Sequence, residues 1–488
     1  MPSPQRVYFC IAPLCLERQV LPPRHPPLFA AYAIAAIKAA GHQVLVRDLY
    51  HRVVPLAQVV DEAAAFRPDL ILVVPEDLDR KSPIAESHKL ARALKQRLPD
   101  VPLALSGSSS RPHFSKALED NPCIDFAWLG EIDDAVPQWL AATPAERPGL
   151  PGVLSRGDGG IRFNGVTAPK DLDHLPWPDW EAVHFTDYKQ APHRRRARLS
   201  YIIVTSRGCP YRCTFCEEVT YFAAVPWRQR SVDNVLREMR EVMQRYPDVE
   251  FSFQDPVFGL KKDWTLEFCE RLQRELPRVA WGAITRADLC TPELLRAMSA
   301  AGCYNILCGL ESASEQTLRS VKKFHITNQV ARDFVRMAHE NGIEVTTSFM
   351  IGLPNETPAD VRKTVDFAIA LEPDYAQFIV HKHFAETREY EGLGTYEDEW
   401  DFTPQDMLGP MFIPHSFKNK GELRREQWRA YRRFYLRWGY ISRRLGDMLR
   451  PGQLQRYLEA VPILAGMAWN AARQRAAHAP LGIARHPQ

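Results

Sequence analysis

Long apolar runs, a strong charge of either sign and a disulfide pattern are all missing from this sequence. Its 488 residues carry a formal net charge of +3, which gives no indication of a nucleic-acid partner. No segment reaches the ~18 uninterrupted apolar residues of a membrane-spanning helix, since Lys38 interrupts the best one. With 45% hydrophobic and 25% charged residues, the composition is typical of a soluble globular protein with two or three domains.

The ten cysteines are scattered, and only three of them lie close together. This distribution is typical of a reducing compartment and not of a secreted disulfide framework, so we expect a cytoplasmic protein. The apolar residues 7–16 after Arg6 could form a weak signal peptide. Pro13 interrupts them and no convincing cleavage site follows, so a buried first strand is the favoured interpretation.

Short apolar segments alternate with helical patterns over residues 1–142. Strands are predicted at residues 6–12, 43–49, 69–75, 102–106 and 124–129, and helices at residues 28–40, 60–66, 84–98 and 113–119. This alternation predicts an α/β fold with a doubly wound, Rossmann-like sheet. Ligands of such sheets bind beyond the carboxyl ends of the strands. The small residues 106–110 could therefore offer N–H groups to a phosphate or nucleotide, and a plain polar turn is an equally good interpretation.

A proline-rich connector, residues 143–196, with a hairpin predicted around residues 158–160, separates this unit from a second alternating region. Six strands are predicted between residues 197 and 390, at residues 201–205, 250–254, 280–285, 304–309, 344–351 and 375–382. Six repeats with short loops predict a partial (β/α)6 barrel of the TIM type, whose chemistry lies at the carboxyl ends of the strands.

Residues 391–488 are predicted to be mostly helical. Residues 421–450 carry apolar side chains at helical spacing among many arginines. Such a helix can lie on a membrane surface or hold an acidic partner. The favoured interpretation is an aromatic face packed on the barrel with the arginines in solvent.

Cys209, Cys213 and Cys216 stand on a loop directly after the first predicted barrel strand. Three thiolates at this spacing can converge on one soft metal centre. No Cys or His follows within the next dozen residues, so one position of the centre is left open for an exogenous ligand. A structural iron or zinc without catalysis is the alternative, which is disfavoured because structural sites are normally closed by a fourth protein ligand.

The CxxxCxxC pattern at this place resembles the radical S-adenosylmethionine (SAM) enzymes. The resemblance implies a 4Fe–4S cluster on the three thiolates, SAM on the fourth iron, and reductive cleavage of SAM to a 5′-deoxyadenosyl radical. It implies a reducing partner such as flavodoxin or ferredoxin. It also implies SAM contacts at the cysteine loop and the strand ends, from Phe215, Gln254, Asp255, Arg286, Glu311, Ser348 and Ile351.

The N-terminal half is similar to the cobalamin-binding domain of one radical SAM subgroup. The similarity is carried by Pro26 and Pro27 before the first helix, by Gly130 and Glu131 after the fifth strand, and by connector residues 172–180. It implies a cobalamin site formed by Ser106, Gly107, Ser108, Ser109, Gly130 and Glu131. The DxHxxG motif is absent, because Asp48 and His51 stand at the wrong spacing, so cobalamin is expected without a lower histidine ligand.

That subgroup includes C-methyltransferases and the anaerobic magnesium-protoporphyrin cyclase. The leading hypothesis is methylation of an unactivated carbon of a biosynthetic intermediate, through the 5′-deoxyadenosyl radical and methylcobalamin. Oxidation, cyclisation or rearrangement without methyl transfer is the alternative, since residues 431–435 look most like the cyclases.

The substrate is expected to be a small molecule, possible classes being large, planar, anionic or lipid-like compounds, with peripheral membrane contact as an option. His381 and His383 share a face of the last predicted strand. They are candidates for proton transfer, although a core or rim position is the commoner role for such histidines.

Overall fold

The structure, a computed structural model, describes residues 3–13, 15–16, 26–75, 82–107, 111–188, 197, 199–216, 225–381, 392–396 and 412–448. Two sheets contain most of the strands in these ranges. His383, Ser108 and Ser109 lie outside the described residues.

The first sheet has seven strands in the order β2-β1-β3-β4-β5-β6-β7. These are β1 (Arg6–Ala12), β2 (Gln43–Asp48), β3 (Leu70–Pro75), β4 (Leu103–Leu105), β5 (Phe126–Trp128), β6 (Val153–Gly157) and β7 (Gly160–Phe163). The helices of this part are α1 (Leu28–Ala39), α2 (Leu56–Phe66), α3 (Ser82–Arg97), α4 (Arg111–Asp120) and α5 (Ala135–Ala141). Strands β1 to β5 run parallel, so the predicted doubly wound sheet is confirmed.

Strand β1 illustrates why this sheet is covered on both faces. Val7, Phe9 and Ile11 pack in one core with α1 and α5, and the residues between them pack in a second core with α2, α3 and α4. Successive side chains of a strand point to opposite faces. A strand that is apolar throughout is therefore stable only between two helical layers.

The hairpin of β6 and β7 extends this sheet, whereas sequence analysis placed it in the connector. Strand β6 pairs antiparallel with β5, where Leu154 lies opposite Ala127, and the turn at residues 158–159 leads into β7. An unpaired edge strand exposes its N–H and C=O groups. The hairpin covers the edge of β5, which residues 1–142 alone would leave open. Sequence analysis also missed α5.

The second sheet has six parallel strands in the order β15-β14-β13-β12-β11-β8, so that neighbours in the sequence are neighbours in space. The strands from this point to β15 are β8 (Leu199–Ile203), β9 (Ser206–Arg207), β10 (Arg228–Gln229), β11 (Val249–Phe253), β12 (Trp281–Thr285), β13 (Cys303–Glu311), β14 (Glu344–Ile351) and β15 (Tyr375–Val380). The helices are α6 (Val232–Arg245), α7 (Lys262–Glu275), α8 (Pro292–Ala300), α9 (Glu315–Ser320), α10 (Asn328–Glu340) and α11 (Pro358–Leu371). Strands β8 and β15 stand at opposite ends of this order, and the predicted partial barrel is confirmed.

Five barrel helices begin at a hydroxyl side chain. The hydroxyls of Ser231, Thr291, Ser314, Thr327 and Thr357 each accept a hydrogen bond from the backbone N–H three residues further on. Such a cap satisfies one of the N–H groups that the first helical turn leaves unpaired. Proline follows two of the caps, at the starts of α8 and α11.

A short ladder of β16 (Gly394–Tyr396) and β17 (Phe412–Pro414) precedes α12 (Lys420–Tyr435) and α13 (Trp438–Met448). The Tyr435 hydroxyl donates to the Ala376 carbonyl at 2.8 Å and accepts from the Ala376 N–H at 3.0 Å. The Tyr431 hydroxyl accepts from the Phe378 N–H at 3.2 Å. Side chains of α12 thus form hydrogen bonds with backbone groups along the open edge of β15. Packing of the aromatic face on the barrel is confirmed for α12, whereas Trp438 and Leu445 of α13 are exposed. The single helix predicted over residues 421–450 is two helices, α12 ending at Tyr435.

Two further expectations from the sequence concern disulfides and membrane-spanning helices. All ten cysteines are free thiols, as expected for a protein without a disulfide framework. Among the described residues, no helix has the length and apolar character that crossing a membrane requires.

Replacing Tyr435 with Phe tests the edge contact. We expect Tyr435→Phe to lower the free energy of unfolding by about 1–3 kcal/mol, because a buried N–H and a buried C=O lose their partner. Urea denaturation followed by circular dichroism measures it. Tyr246→Phe is the control, since the Tyr246 ring packs on Phe185 and the described residues give its hydroxyl no hydrogen bond. Equal stability of the two variants would contradict the role of Tyr435.

Candidate functional site

The three clustered cysteines lie on a loop that begins where β8 ends. Strands β9 and β10 pair across its base, with Arg207 opposite Arg228. Gly208 follows at φ +79°, in the left-handed region that favours glycine. Cys213 is buried, and Cys209 and Cys216 are half-buried. The Thr214 N–H donates to the Val321 carbonyl at 3.2 Å, which attaches the loop to the chain after α9.

Asp255, at the end of β11, holds the start of this loop. Its carboxylate is buried and accepts the Thr205 N–H at 3.0 Å and the Thr205 and Ser206 hydroxyls at 2.7 Å each. Burial raises the pKa of Asp255, and these hydrogen bonds oppose that rise. Sequence analysis predicts a SAM contact for Asp255, and the structure gives its carboxylate a positioning task. The amide of neighbouring Gln254 donates to the Ser252 hydroxyl at 2.6 Å.

Arg286, at the end of β12, lies beside the cysteine loop. Its guanidinium stands 3.6 Å from the centre of the Tyr211 ring and forms an ion pair with Asp288 at 2.9 Å. Burial raises the pKa of the Cys213 thiol, whereas the charges of Lys323 and Arg286 lower it. Burial outweighs these two charges, so the pKa of the Cys213 thiol stays above its ordinary value.

Glu311, at the end of β13, forms a buried ion pair with Lys323 at 2.7 Å. Its φ of +65° is unusual for a residue other than glycine, and such strain concentrates at functional sites. A side chain on Gly309 would approach the Glu311 carboxylate to 2.3 Å, so that carboxylate would have to move. Burial alone lowers the pKa of Lys323, but attraction to Glu311 and Cys213 more than offsets it and the pKa is raised.

Lys323 was missed by sequence analysis, and so was Tyr211. The Lys323 ammonium lies 5.6 Å from the centre of the Phe215 ring, which brings it to the predicted adenine-contacting residue as well as to Glu311. No signal in the sequence distinguishes Lys323 from a solvent-exposed lysine, because its burial depends on how the turn after α9 packs against the cysteine loop. Tyr211 lies inside the CxxxCxxC segment, which is the signal that could have identified it.

Ser348 and Ile351 belong to β14, beside β13. Ser348 is opposite Gly309 in the parallel register, and Ile351 is buried next to the loop that follows. Glu356 organises that loop, since its carboxylate accepts the Gly352 N–H at 2.7 Å and the Leu353 N–H at 3.3 Å. Ser312 donates to its other oxygen at 3.4 Å. Glu356, also missed from the sequence, thereby joins the ends of β13 and β14.

At the carboxyl edge of the first sheet, Ser106 is buried and Gly107 has φ +138°. The Ser106 hydroxyl has no hydrogen-bond partner among the described residues, which fits an edge that receives a ligand. A side chain on Gly130 would approach the Thr167 carbonyl to 2.2 Å. The carboxylate of Glu131 forms ion pairs with Arg207 and Arg228. Its predicted role toward cobalamin stays a prediction.

His381 follows β15 and is fully buried, with its ring 6.0 Å from that of Phe412. The backbone N–H of His381 donates to the Ile351 carbonyl at 2.8 Å. The structure thus places His381 beside the end of β14, at the same edge as Ser348. Its predicted part in proton transfer stays a prediction.

The donor set fits an iron–sulfur cluster. In the described ranges, no three His, Cys, Asp or Glu side chains are gathered around a point suitable for a single metal ion. An iron–sulfur cluster places each thiolate on its own iron and therefore needs wider spacing. Two buried cations beside Cys213 also suit a cluster that carries negative charge.

A loop of three thiols at the carboxyl end of a partial barrel, with charged residues at the neighbouring strand ends, defines the site of a metal-cluster enzyme. Residues 203–368 match the model of the Radical SAM superfamily. They form a radical SAM domain within the chain.

Relatives extend the likeness beyond this domain. The chain is 28% identical to an uncharacterised methyltransferase of Pyrococcus horikoshii, over 75% of this chain and 78% of that protein. It is 26% identical to the anaerobic magnesium-protoporphyrin IX monomethyl ester cyclase of Rubrivivax gelatinosus, over 86% of this chain and 75% of that protein.

Among solved structures, the chain is similar to the radical SAM methyltransferase TsrM of Kitasatospora setae, bound to cobalamin and a 4Fe–4S cluster. The TM-score is 0.65 at 19% identity, over 87% of this chain and 85% of that one. At this identity the likeness shows a shared fold, which here includes the N-terminal sheet as well as the barrel.

Glu356 gives the site a dependence on pH. Burial raises its pKa from 4.5 to about 8, so the folded state holds this proton more tightly than the unfolded state. Stability should therefore fall as pH rises from about 4.5 to about 8, by at most about 1.4 kcal/mol per pH unit. Glu356→Gln, which mimics the protonated acid, should remove this part of the fall.

Thermal unfolding at several pH values between these limits measures the effect. Relative to wild type, Glu356→Gln should gain stability steadily toward the alkaline end. Glu340→Gln is the control, because Glu340 forms an exposed ion pair with Arg336. A constant difference between Glu356→Gln and wild type at every pH would show that Glu356 is ionised throughout.

Proposed function

We propose that the protein is a cobalamin-dependent radical SAM methyltransferase that methylates an unactivated carbon of a biosynthetic intermediate. The observation that carries this proposal is the cysteine loop, which stands at the carboxyl edge of the barrel and is ion-paired to the end of β5 in a doubly wound sheet. The similarity to a methyltransferase over three quarters of the chain supports it.

Cys209, Cys213 and Cys216 would hold the 4Fe–4S cluster. Glu311 and Lys323 offer a carboxylate and an ammonium beside Cys213, which suit the amino and carboxylate groups of SAM. Phe215, Arg286, Ser348 and Ile351 are the other proposed contacts, with Gln254 and Asp255 at the neighbouring strand end. When bound, the cluster and SAM supply a 5′-deoxyadenosyl radical and cobalamin carries the methyl group.

The proposed cobalamin site is the carboxyl edge of the first sheet. Ser106, after β4, supports it, because its buried hydroxyl has no hydrogen-bond partner among the described residues. Gly107 after β4 and Gly130 after β5 stand in the left-handed region at the same edge. Ser108, Ser109 and Glu131 complete the proposed set. We propose base-off cobalamin without a histidine ligand.

Reaction without methyl transfer is the second candidate. It is favoured by the likeness to the Rubrivivax cyclase, which extends over 86% of this chain. In both candidates the radical SAM enzyme needs a reductant and a small-molecule substrate. We propose a flavodoxin or ferredoxin as the reductant and a large planar or lipid-like molecule as the substrate. We also propose that the protein is located in the cytoplasm.

Turnover without substrate distinguishes the two candidates. Anaerobically reconstituted protein with SAM, titanium(III) citrate and hydroxocobalamin should release both 5′-deoxyadenosine and S-adenosylhomocysteine, quantified by chromatography with mass detection. Cys213→Ala should lose at least about 100-fold of the 5′-deoxyadenosine, because a missing thiolate leaves the cluster incomplete. Formation of 5′-deoxyadenosine with no S-adenosylhomocysteine would contradict methyl transfer and favour the cyclase-like alternative.

Glu311→Gln tests the proposed SAM contact. The amide keeps the shape and a hydrogen bond to Lys323 but removes the negative charge, so SAM binding should weaken about 10- to 100-fold, the loss of one charged hydrogen bond. Equilibrium dialysis with radiolabelled SAM measures it, with iron content as a check on the cluster. Glu275→Gln, in a surface ion pair with Arg240, is the control. Wild-type affinity in Glu311→Gln would remove Glu311 from the SAM site.

A further inference from the structure

Four buried charges connect the cysteine loop to the first sheet. We call Arg207, Arg228, Glu131 and Asp133 the charge clamp. We infer that Arg207 is a positioning residue which, through the charge clamp, fixes the cysteine loop against the end of β5, so that the geometry of the iron–sulfur cluster depends on the N-terminal sheet. This inference rests on the proposed function, since it assumes that the loop holds a cluster.

Arg207 is the centre of the charge clamp. Its guanidinium donates to Glu131 at 2.9 Å and to the two oxygens of Asp133 at 2.8 and 3.1 Å. It also lies 4.5 Å from the centre of the Tyr32 ring of α1. Only 5% of the Arg207 side chain is exposed, and 3% of each carboxylate side chain. A two-pronged, desolvated pair of this kind fixes direction as well as distance.

Arg228 ties the other end of the loop to the same carboxylate. Its guanidinium donates to Glu131 at 2.5 and 3.1 Å and to the Pro169 carbonyl at 2.6 Å. Because Arg207 and Arg228 are paired residues of β9 and β10, the two ends of the loop enter and leave at one point. The charge clamp therefore holds the whole base of the loop, not one strand of it.

The carboxylates themselves are held by the first sheet. Glu131 lies three residues after the end of β5, and its N–H donates to the Thr167 carbonyl at 2.8 Å. Gly130 bridges Thr167, and any larger residue there would clash with that carbonyl. Glu131 thus has a fixed backbone from which to hold the two arginines.

Gly208 stands between Arg207 and Cys209 in the left-handed region, and its backbone lies beside the Pro226 carbonyl and Trp227. Arg207 is therefore the last side chain before the first thiol, and its ion pairs hold the loop immediately ahead of Cys209. Cys213 is attached separately, through the hydrogen bond between the Thr214 N–H and the Val321 carbonyl. A change of backbone direction at Arg207 would thus move the first thiol relative to Cys213.

The test breaks the charge clamp from each side. Asp133→Asn removes a charge that lies 76 residues before Cys209 and leaves the bond between Arg207 and Glu131 in place. Arg207→Lys keeps the charge but loses the two-pronged contact. Both variants and their combination are reconstituted as full chains with iron and sulfide, and iron content and the thermal midpoint are measured first.

Two properties of the reduced and oxidised cluster are then compared. In each single variant, a chelator should remove the visible absorbance of the cluster about tenfold faster than in wild type. In the double variant the loss should be no faster than in the worse single variant, because the effects of substituting coupled residues do not add. The EPR line shape of the reduced cluster should broaden in both singles. A merely structural loss would lower the thermal midpoint and leave the line shape unchanged.

Two matched controls accompany these variants. Asp134→Asn changes the next residue, which contacts His174 at the surface, and Arg240→Lys changes a surface arginine paired with Glu275. Both should behave as wild type within about twofold, as expected for exposed pairs.

A wild-type cluster in Asp133→Asn beside an altered one in Arg207→Lys would overturn the inference, because Arg207 would then act only locally. Wild-type behaviour in both variants would also overturn it. Absence of iron and sulfide from reconstituted wild type would refute the proposed function and the inference together, and a wild-type cluster with unaffected clamp variants would refute the inference alone. If Arg207→Lys does not fold, the line shape and chelation rate of Asp133→Asn decide.

Discussion

Parallel strands that follow one another in a sheet all end at the same edge, and the candidate site depends on that constraint. The thiol loop follows β8, Asp255 follows β11, Arg286 follows β12, and Glu311 ends β13. These residues are far apart in the sequence, yet each lies within one or two strands of the next because the strand order is sequential. Strand pairing alone brings these residues to one edge of the sheet.

Charge decides what each strand end does within this frame. Asp255 is surrounded by the N–H and hydroxyl groups of the loop, so its carboxylate fixes the loop and has little capacity left for a ligand. Glu311 is held instead by one flexible ammonium, which a ligand with an amino group and a carboxylate could share. The two carboxylates, at strand ends separated by β12, thus have different tasks because their partners differ, a separation of roles that environment alone produces.

The sequence was sufficient for the parallel strands and the thiols, because their signals are local. Pro292 and Pro358 follow hydroxyl caps, and both helices begin where those signals stand. The spacing of Cys209, Cys213 and Cys216 is likewise readable within one loop. The task of Glu131 was not readable, since it depends on Arg207 and Arg228, which come from the β9–β10 ladder at the base of the thiol loop. Lys323 and Glu356 were missed for the same reason. Their roles depend on burial and on partners that lie elsewhere in the chain, Glu311 and Ser312.

The same distinction bears on how two cofactors could work together. Chemistry that passes a group between two sites requires those sites to be held at a fixed separation, since small misplacements are costly in rate. A continuous apolar core already joins one face of the first sheet to the barrel, but apolar packing is non-directional and tolerates small shifts. Buried ion pairs with defined geometry add direction. In this chain such pairs are placed where the end of β5 meets the base of the thiol loop, the boundary across which a transfer between the two edges would have to occur.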